Sequence, residues 1–173
     1  MSLPSLLPLP DLLRSCAAQA EQALVAALAA QGVASSALPE GFLAAFGRVA
    51  AVSDFVAEQA LREPLRLLEQ VRSGELQQSL QPGDLRARLQ ASLLDCADEE
   101  ALGRRLRGFR NAQQLRIIWR DVTRQAALVE TCRDLSDMAD ACIDLAYQWL
   151  YQRHALQFGT PMGKCSGTPQ HMV

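Results

Sequence analysis

Aromatic residues make up only 5% of the 173-residue chain, so Leu, Ala and Val must fill most of its interior. Strand formers are scarce while Ala and Leu, the leaders of the helix scale, abound, and this favours helices over a β-rich fold. Lysine occurs once, at Lys164, and the net charge is -2. With a pI of about 5.7 the chain has no global pull toward nucleic acid or an anionic membrane. Five cysteines are scattered, odd in number, and never spaced Cys-x-x-Cys, which argues against a disulfide framework and for a reducing compartment. The apolar, proline-rich opening Met1–Pro10 has no basic n-region, so it does not read as a signal peptide. Gln19, Glu21 and Gln22 interrupt the Ala/Leu run from Cys16 to Ala30, which excludes a membrane span there. What is present is 49% hydrophobic and 21% charged residues, the composition of a globular protein of about one domain. A soluble, cytoplasmic protein is expected.

The pattern predicts an all-α fold, a helical bundle with two long C-terminal helices and an irregular Gly/Pro-rich tail. Pro10-Asp11 opens a first helix that Gly32 closes. A shorter one starts near Leu38-Pro39-Glu40-Gly41 and fades near Gly47 or Ala51. Ser53 is placed to cap "DFVAEQALRE", and Pro64 to open "PLRLLEQVRSG". The polar stretch Ser73–Gly83 is expected as a flexible loop, followed by a helix from Asp84. Asp98 caps a long helix running to about Arg124. On it Leu102, Leu106 and Phe109 share one face, whereas Leu115, Ile118, Trp119 and Val122 share a nearly opposite one. That rotation implies burial by two different partners, or a kink. The last helix, about Leu128 to His154, carries a seam of Leu128, Leu135, Met138, Cys142, Leu145 and Trp149. The organisation expected is a helical domain over 1–157, with its loop near 73–83, and a connector over 158–173.

Few residues suggest chemistry. The tail "FGTPMGKCSGTPQHMV" (158–173) resembles a phosphate loop only loosely: Gly159 precedes Gly163-Lys164 by one residue too few, and Cys165 stands where a hydroxyl belongs. Cys165 and His171 supply two metal ligands where a closed zinc site needs four. The arginine run 104–124 points all round its helix, so it makes no basic stripe for nucleic acid, and Arg116 and Arg120 are placed to be paired inside the bundle. Glu130, Asp134, Asp137, Asp140 and Asp144 recur at 3–4 spacing. They could hold Mg²⁺, form a solvated face, or pair with arginines. His154 is placed to favour the helix dipole rather than to catalyse.

Five landmarks occur in order: "SDFV" (53–56), "REP" (62–64), "LRGFRNAQQLRIIWRD" (106–121), "LSDMADACIDLAYQWL" (135–150) and "FGTP" (158–161). From Ser53 to Val173 the chain thereby resembles the amino-terminal region of the bifunctional glutamine synthetase adenylyltransferase/adenylyl-removing enzymes. The resemblance implies a cytoplasmic enzyme of nitrogen control that transfers AMP from ATP, with Mg²⁺, to a tyrosine of glutamine synthetase and removes it by phosphorolysis. It implies glutamine synthetase and the PII signalling protein as partners, and neither nucleic acid nor membrane. In that family the segment beyond the "GTP … Q" loop runs into an apolar strand, a Gly-Lys-Leu-Gly-Gly loop and an Asp-x-Asp pair that holds the metal. This sequence contains neither the loop nor the pair. It is expected to be truncated at the start of the nucleotidyltransferase domain, with no catalytic, cofactor or metal residues of its own and no bound ATP or Mg²⁺. The residues singled out are structural or interfacial: Phe109, Trp119 and Trp149 as core anchors, and Arg110, Arg116 and Asp121 as buried pairs or a contact to the further domain. A free-standing helical interaction module is the alternative.

Overall fold

The structure, a computed structural model, describes residues 8–170, so the expectations for most of the opening segment and for His171–Val173 lie outside the described residues. Within them the fold is all-α. Seven α-helices follow one another: α1 (Asp11–Ala30), α2 (Phe42–Ala50), α3 (Asp54–Arg62), α4 (Pro64–Arg72), α5 (Asp84–Leu93), α6 (Glu99–Val122) and α7 (Leu128–Phe158). Short 3-10 turns occupy Ser35–Ala37 and Glu75–Gln77. None of these helices is long and apolar enough to cross a membrane.

The ends follow from capping chemistry. Ser53 Oγ accepts the Val56 N–H at 3.4 Å, and Asp98 Oδ1 accepts that of Ala101 at 2.7 Å, each satisfying a donor that the first helical turn leaves orphaned. Pro64 sits in the first turn of α4, where its missing N–H costs nothing. The second helix starts at Phe42, later than Leu38, because Gly41 takes a left-handed turn (φ 74°) in between. Helix α7 continues past His154 to Phe158 and ends where Gly159, at φ 84°, returns its N–H to Ala155 O at 2.9 Å.

The chain forms two compact units: Met1–Gln81 with Asn111–Ser136, and Pro82–Arg110 with Asp137–Val173. In the first, Leu24 and Leu28 of α1, Phe46 and Val49 of α2, Leu67 of α4 and Trp119 of α6 belong to one core. Phe42 stacks on Trp119 with ring centroids 5.8 Å apart. Each such buried side chain contributes about 1.5–3 kcal/mol relative to exposure. In the second unit Leu89 and Leu93 of α5, Leu102 of α6, and Ala141 and Leu145 of α7 form the core, with Leu106, Phe109 and Trp149 half-buried against it. The two apolar faces of α6 therefore serve two different cores.

Two expectations need correction. Leu128 and Leu135 do not lie on the buried seam of α7; they are 74% and 41% exposed. The buried positions are Asp134, Met138, Ala141 and Leu145, a 4-3-4 spacing whose first member is a carboxylate. The stretch 73–83 is a loop, but it is fastened: Leu76 and Leu80 are fully buried, and Leu76 joins the first core. Beyond Gly159 the tail folds back on itself through a single bridge between Met162 and Pro169. A Cβ at Gly163 would crowd Ser166 Oγ, so that hydroxyl would have to turn away.

Candidate functional site

The most constrained polar region lies in the first unit, where the second half of α6, the start of α7 and residues 75–80 meet. Arg116 is completely buried, a position that a guanidinium tolerates only when its charge and donors are matched. Here they are. Its Nη2 donates to Asp134 Oδ2 at 2.6 Å, its Nη1 to Gln78 O at 2.9 Å and its Nε to Gln113 Oε1 at 3.0 Å. Gln113 in turn donates through Nε2 to Glu75 Oε1 at 2.9 Å. Asp134, also buried, receives a second guanidinium, Arg133 Nη2, at 2.7 Å on its other oxygen.

Arg120, one turn after Arg116, repeats the arrangement. Its Nη1 donates to Gln77 O, and its Nη2 to Glu130 Oε1 at 2.8 Å and to Gln125 O at 3.1 Å. Arg133 Nη2 reaches Leu80 O at 2.9 Å, and Ser79 Oγ donates to Glu130 at 2.9 Å. Three arginines thus hold three carbonyls of one short strap, residues 76–80, while Leu76 and Leu80 fill the space beneath it. Arginine suits the role because its planar fork reaches a carboxylate and a carbonyl together and never loses its charge. The Nε of Arg120 and the indole Nε1 of Trp119 are the exceptions, buried without a hydrogen-bond partner. The charged groups of this network are spent on one another and on the strap. It is a clamp.

The residues singled out in the sequence do not converge on one site. Arg116 belongs to the clamp and Trp119 to the adjoining core. Asp121 is exposed and accepts from Thr131 Oγ1 at 3.2 Å. Phe109 and Trp149 lie in the second unit, half-buried, with the Arg153 guanidinium 5.3 Å above the Trp149 ring. Arg110 is exposed there, on the side of Cys142. Burial pushes the Cys142 thiol up, and the Arg110 charge only partly offsets it.

Three of the five acids in the series are spent on cations: Glu130 and Asp134 in the clamp, and Asp144 on Arg86 at 2.7 Å in the second unit. Among the described residues no group of three or more His, Cys, Asp or Glu could hold a metal. His154, expected as a dipole partner, stacks on Phe158 and lies 3.9 Å from Glu99. The tail does not fit a phosphate cradle either. Its Gly163 and Gly167 amides, which would have to face a phosphate, donate to Thr168 O and Gly163 O, both at 2.9 Å. Gln113, Glu75 and Arg133 were not singled out in the sequence, since nothing in their spacing marks them as partners of Arg116 and Asp134.

Comparison with known proteins settles the family. The model for glutamate-ammonia ligase adenylyltransferase matches residues 43–173. The chain belongs to that family. It is 60% identical over its whole length to the bifunctional glutamine synthetase adenylyltransferase/adenylyl-removing enzyme of Pseudomonas aeruginosa, and 54% identical to that of Pseudomonas syringae pv. tomato. A more distant relative of the same description, from Thioalkalivibrio sulfidiphilus, is 38% identical over 98% of the chain. The chain spans only 18% of the length of the two Pseudomonas enzymes and 17% of the third. The family's model covers the clamp, the strap and both long helices.

Proposed function

We propose that this chain is the amino-terminal helical region, in the adenylyl-removing half, of an enzyme that adds AMP to glutamine synthetase and removes it, and that it supports the nucleotidyltransferase domain and helps to position glutamine synthetase without catalysing either reaction. The observation that carries the proposal is the identity over the whole chain to enzymes that are about five times longer. The geometry agrees in kind. The deeply buried charges are locked into mutual pairs, as in a scaffold, and the tail amides are committed to their own turn. In this proposal residues 1–157 are the helical support and 158–173 the connector. ATP and Mg²⁺ are bound by the enzyme elsewhere than on this chain. The protein works in the cytoplasm on glutamine synthetase, under the PII signalling protein, apart from membranes and nucleic acid. Phe109, Trp119 and Trp149 anchor the cores of the support and Arg116 its buried pair, while Arg110 and Asp121 are the residues through which it meets the rest of the enzyme.

The test is direct. The 173-residue chain is incubated with adenylylated glutamine synthetase and phosphate, and separately with unmodified glutamine synthetase and ATP-Mg²⁺. Neither release nor incorporation of AMP is expected above the rate without the chain. Turnover in either assay sinks the proposal.

A further inference from the structure

In the second unit the inward face of α7 runs on past the core it serves. Met138, Ala141 and Leu145 are buried on it, and Trp149 is half-buried against the same cluster. Two turns after Trp149 the helical period returns Leu156 to this face. Yet Leu156 is 91% exposed. Its cover ends too early. Arg153 Nη1 donates to Ala97 O at 3.0 Å, and His154 lies 3.9 Å from Glu99, the first residue of α6. Helix α6 thus begins beside His154 and does not reach the turn that follows. Leu94, just past the end of α5 and three residues before Ala97, is 83% exposed. Beyond Phe158 the chain does not travel far, because the Gln170 N–H donates to Pro161 O at 2.8 Å. Pro161 is three residues from Phe158, at most about 10 Å of extended chain. At Gln170 the chain is therefore back beside the uncovered end of α7.

We propose that this end of the second unit, centred on Leu156 and Leu94, is the docking surface for the folded polypeptide that follows the tail in the longer enzyme. The inference rests on the reading of this chain as the amino-terminal region, since it spans 18% of its Pseudomonas relatives and the greater part of their length lies beyond it. The face continues a core seam, so what it lacks is apolar side chains packed at the density of a protein interior. The point from which the next unit starts lies beside it. A tethered unit acts at an effective concentration of about a millimolar, which a second copy in dilute solution does not match. Arg153 at the border is engaged by Ala97 O and the Trp149 ring, which leaves the face apolar rather than basic.

The experiment is hydroxyl-radical footprinting, read by mass spectrometry, on two proteins. One is the 173-residue chain; the other is the Pseudomonas aeruginosa enzyme with this chain in place of the segment to which it is 60% identical. Leu156 and Leu94 are expected to be oxidised about 5-fold more slowly in the longer enzyme, as side chains at the centre of an interface are. Leu156→Gln is expected to leave the unfolding midpoint of the 173-residue chain unchanged, because the side chain is exposed there, and to lower that of the longer enzyme. Leu156→Met is expected to hold both midpoints. Equal oxidation of the two leucines in both proteins, or a longer enzyme indifferent to Leu156→Gln, would overturn the proposal. Protection of Leu156 that grows with the concentration of the 173-residue chain would assign the face to a second copy and overturn it as well. None of these results touches the reading on which the inference rests, which fails separately, by AMP turnover on the 173-residue chain alone.

Discussion

The two units use the same residue, arginine, in opposite ways. In the first, Arg116 and Arg120 are sunk beneath the strap, each matched to a carboxylate and to backbone carbonyls. In the second, Arg86, Arg104 and Arg105 meet Asp144, Glu100 and Asp95 at the surface, where both partners keep contact with water. Sequence composition does not distinguish these arginines, but the helix face does. A surface pair gains little, because solvent screens it and two long side chains must be ordered. A buried pair is no great net stabiliser either, since desolvation consumes most of the attraction. Its consequence is asymmetric: once one member is removed, the other is stranded. The buried set therefore fixes which loop lies on which helix, whereas the surface set carries no such constraint.

Breaking the comparison at its strongest point means Asp134→Ala. This leaves Arg116 buried with its charge uncompensated, and about 3–5 kcal/mol of stability should be lost in denaturant unfolding. A double-mutant cycle with Arg116→Met should show strong coupling between the two sites. Replacing both residues by apolar ones should recover only part of the loss, because Gln78 O loses its donor as well. Independent, additive effects would mean that the pair is not the organising contact.

Next in size is Leu76→Ala beneath the strap. Leu76 is fully buried in the first core, and its truncation should cost about 3 kcal/mol. Amide hydrogen exchange over residues 76–80 should rise together with it, since the carbonyl contacts to Arg116, Arg120 and Arg133 hold the same stretch. A loss of global stability with the strap still protected would show that the arginines suffice without the leucine.

How much of this was legible in the sequence follows from what marks a position. Caps and breakers at Ser53, Pro64, Asp98 and Gly159 carry their chemistry locally, so the helix boundaries could be placed within a few residues. The rotation of the apolar face along α6, from Leu102 and Phe109 to Leu115 and Trp119, was readable as burial by two partners. The clamp was only half visible. Arg116 and Arg120 fell on a face that invited pairing, but hydropathy assigned the first part of the α7 seam to Leu128 and Leu135, when the residue turned inward is Asp134. Apolar periodicity has no means of registering a buried carboxylate. The strap was harder still, because what the arginines grip are main-chain carbonyls, and Gln77 and Gln78 look like any polar loop.

In the second unit Arg86→Ala provides the matched counterpart to the clamp. It removes a pair at 2.7 Å whose members are both substantially exposed, and the expected change is about 0.5 kcal/mol or less. The contrast with Asp134→Ala, measured under the same conditions, is the comparison expressed in free energy. Equal effects would mean that burial is not what separates the two sets.

The smallest effect concerns protons. The Arg105 guanidinium donates to Asp95 at 2.5 Å, and that bond, aided by a backbone hydrogen bond and by the charge itself, holds the Asp95 carboxyl below its ordinary range. A carboxyl whose folded-state value is depressed contributes stability above its unfolded-state pKa, near pH 4, and that contribution disappears as the pH falls through the folded-state value. Because Asp95 stands in open solvent, the dependence should be slight and should shrink further as salt screens the pair. The clean measurement is an NMR titration of the Asp95 carboxyl carbon. Its midpoint should lie below that of a free aspartate, and Arg105→Ala should return it to the ordinary range. A midpoint unmoved by Arg105→Ala would show that the pair does not hold in solution, and would place it among the surface contacts that contribute nothing.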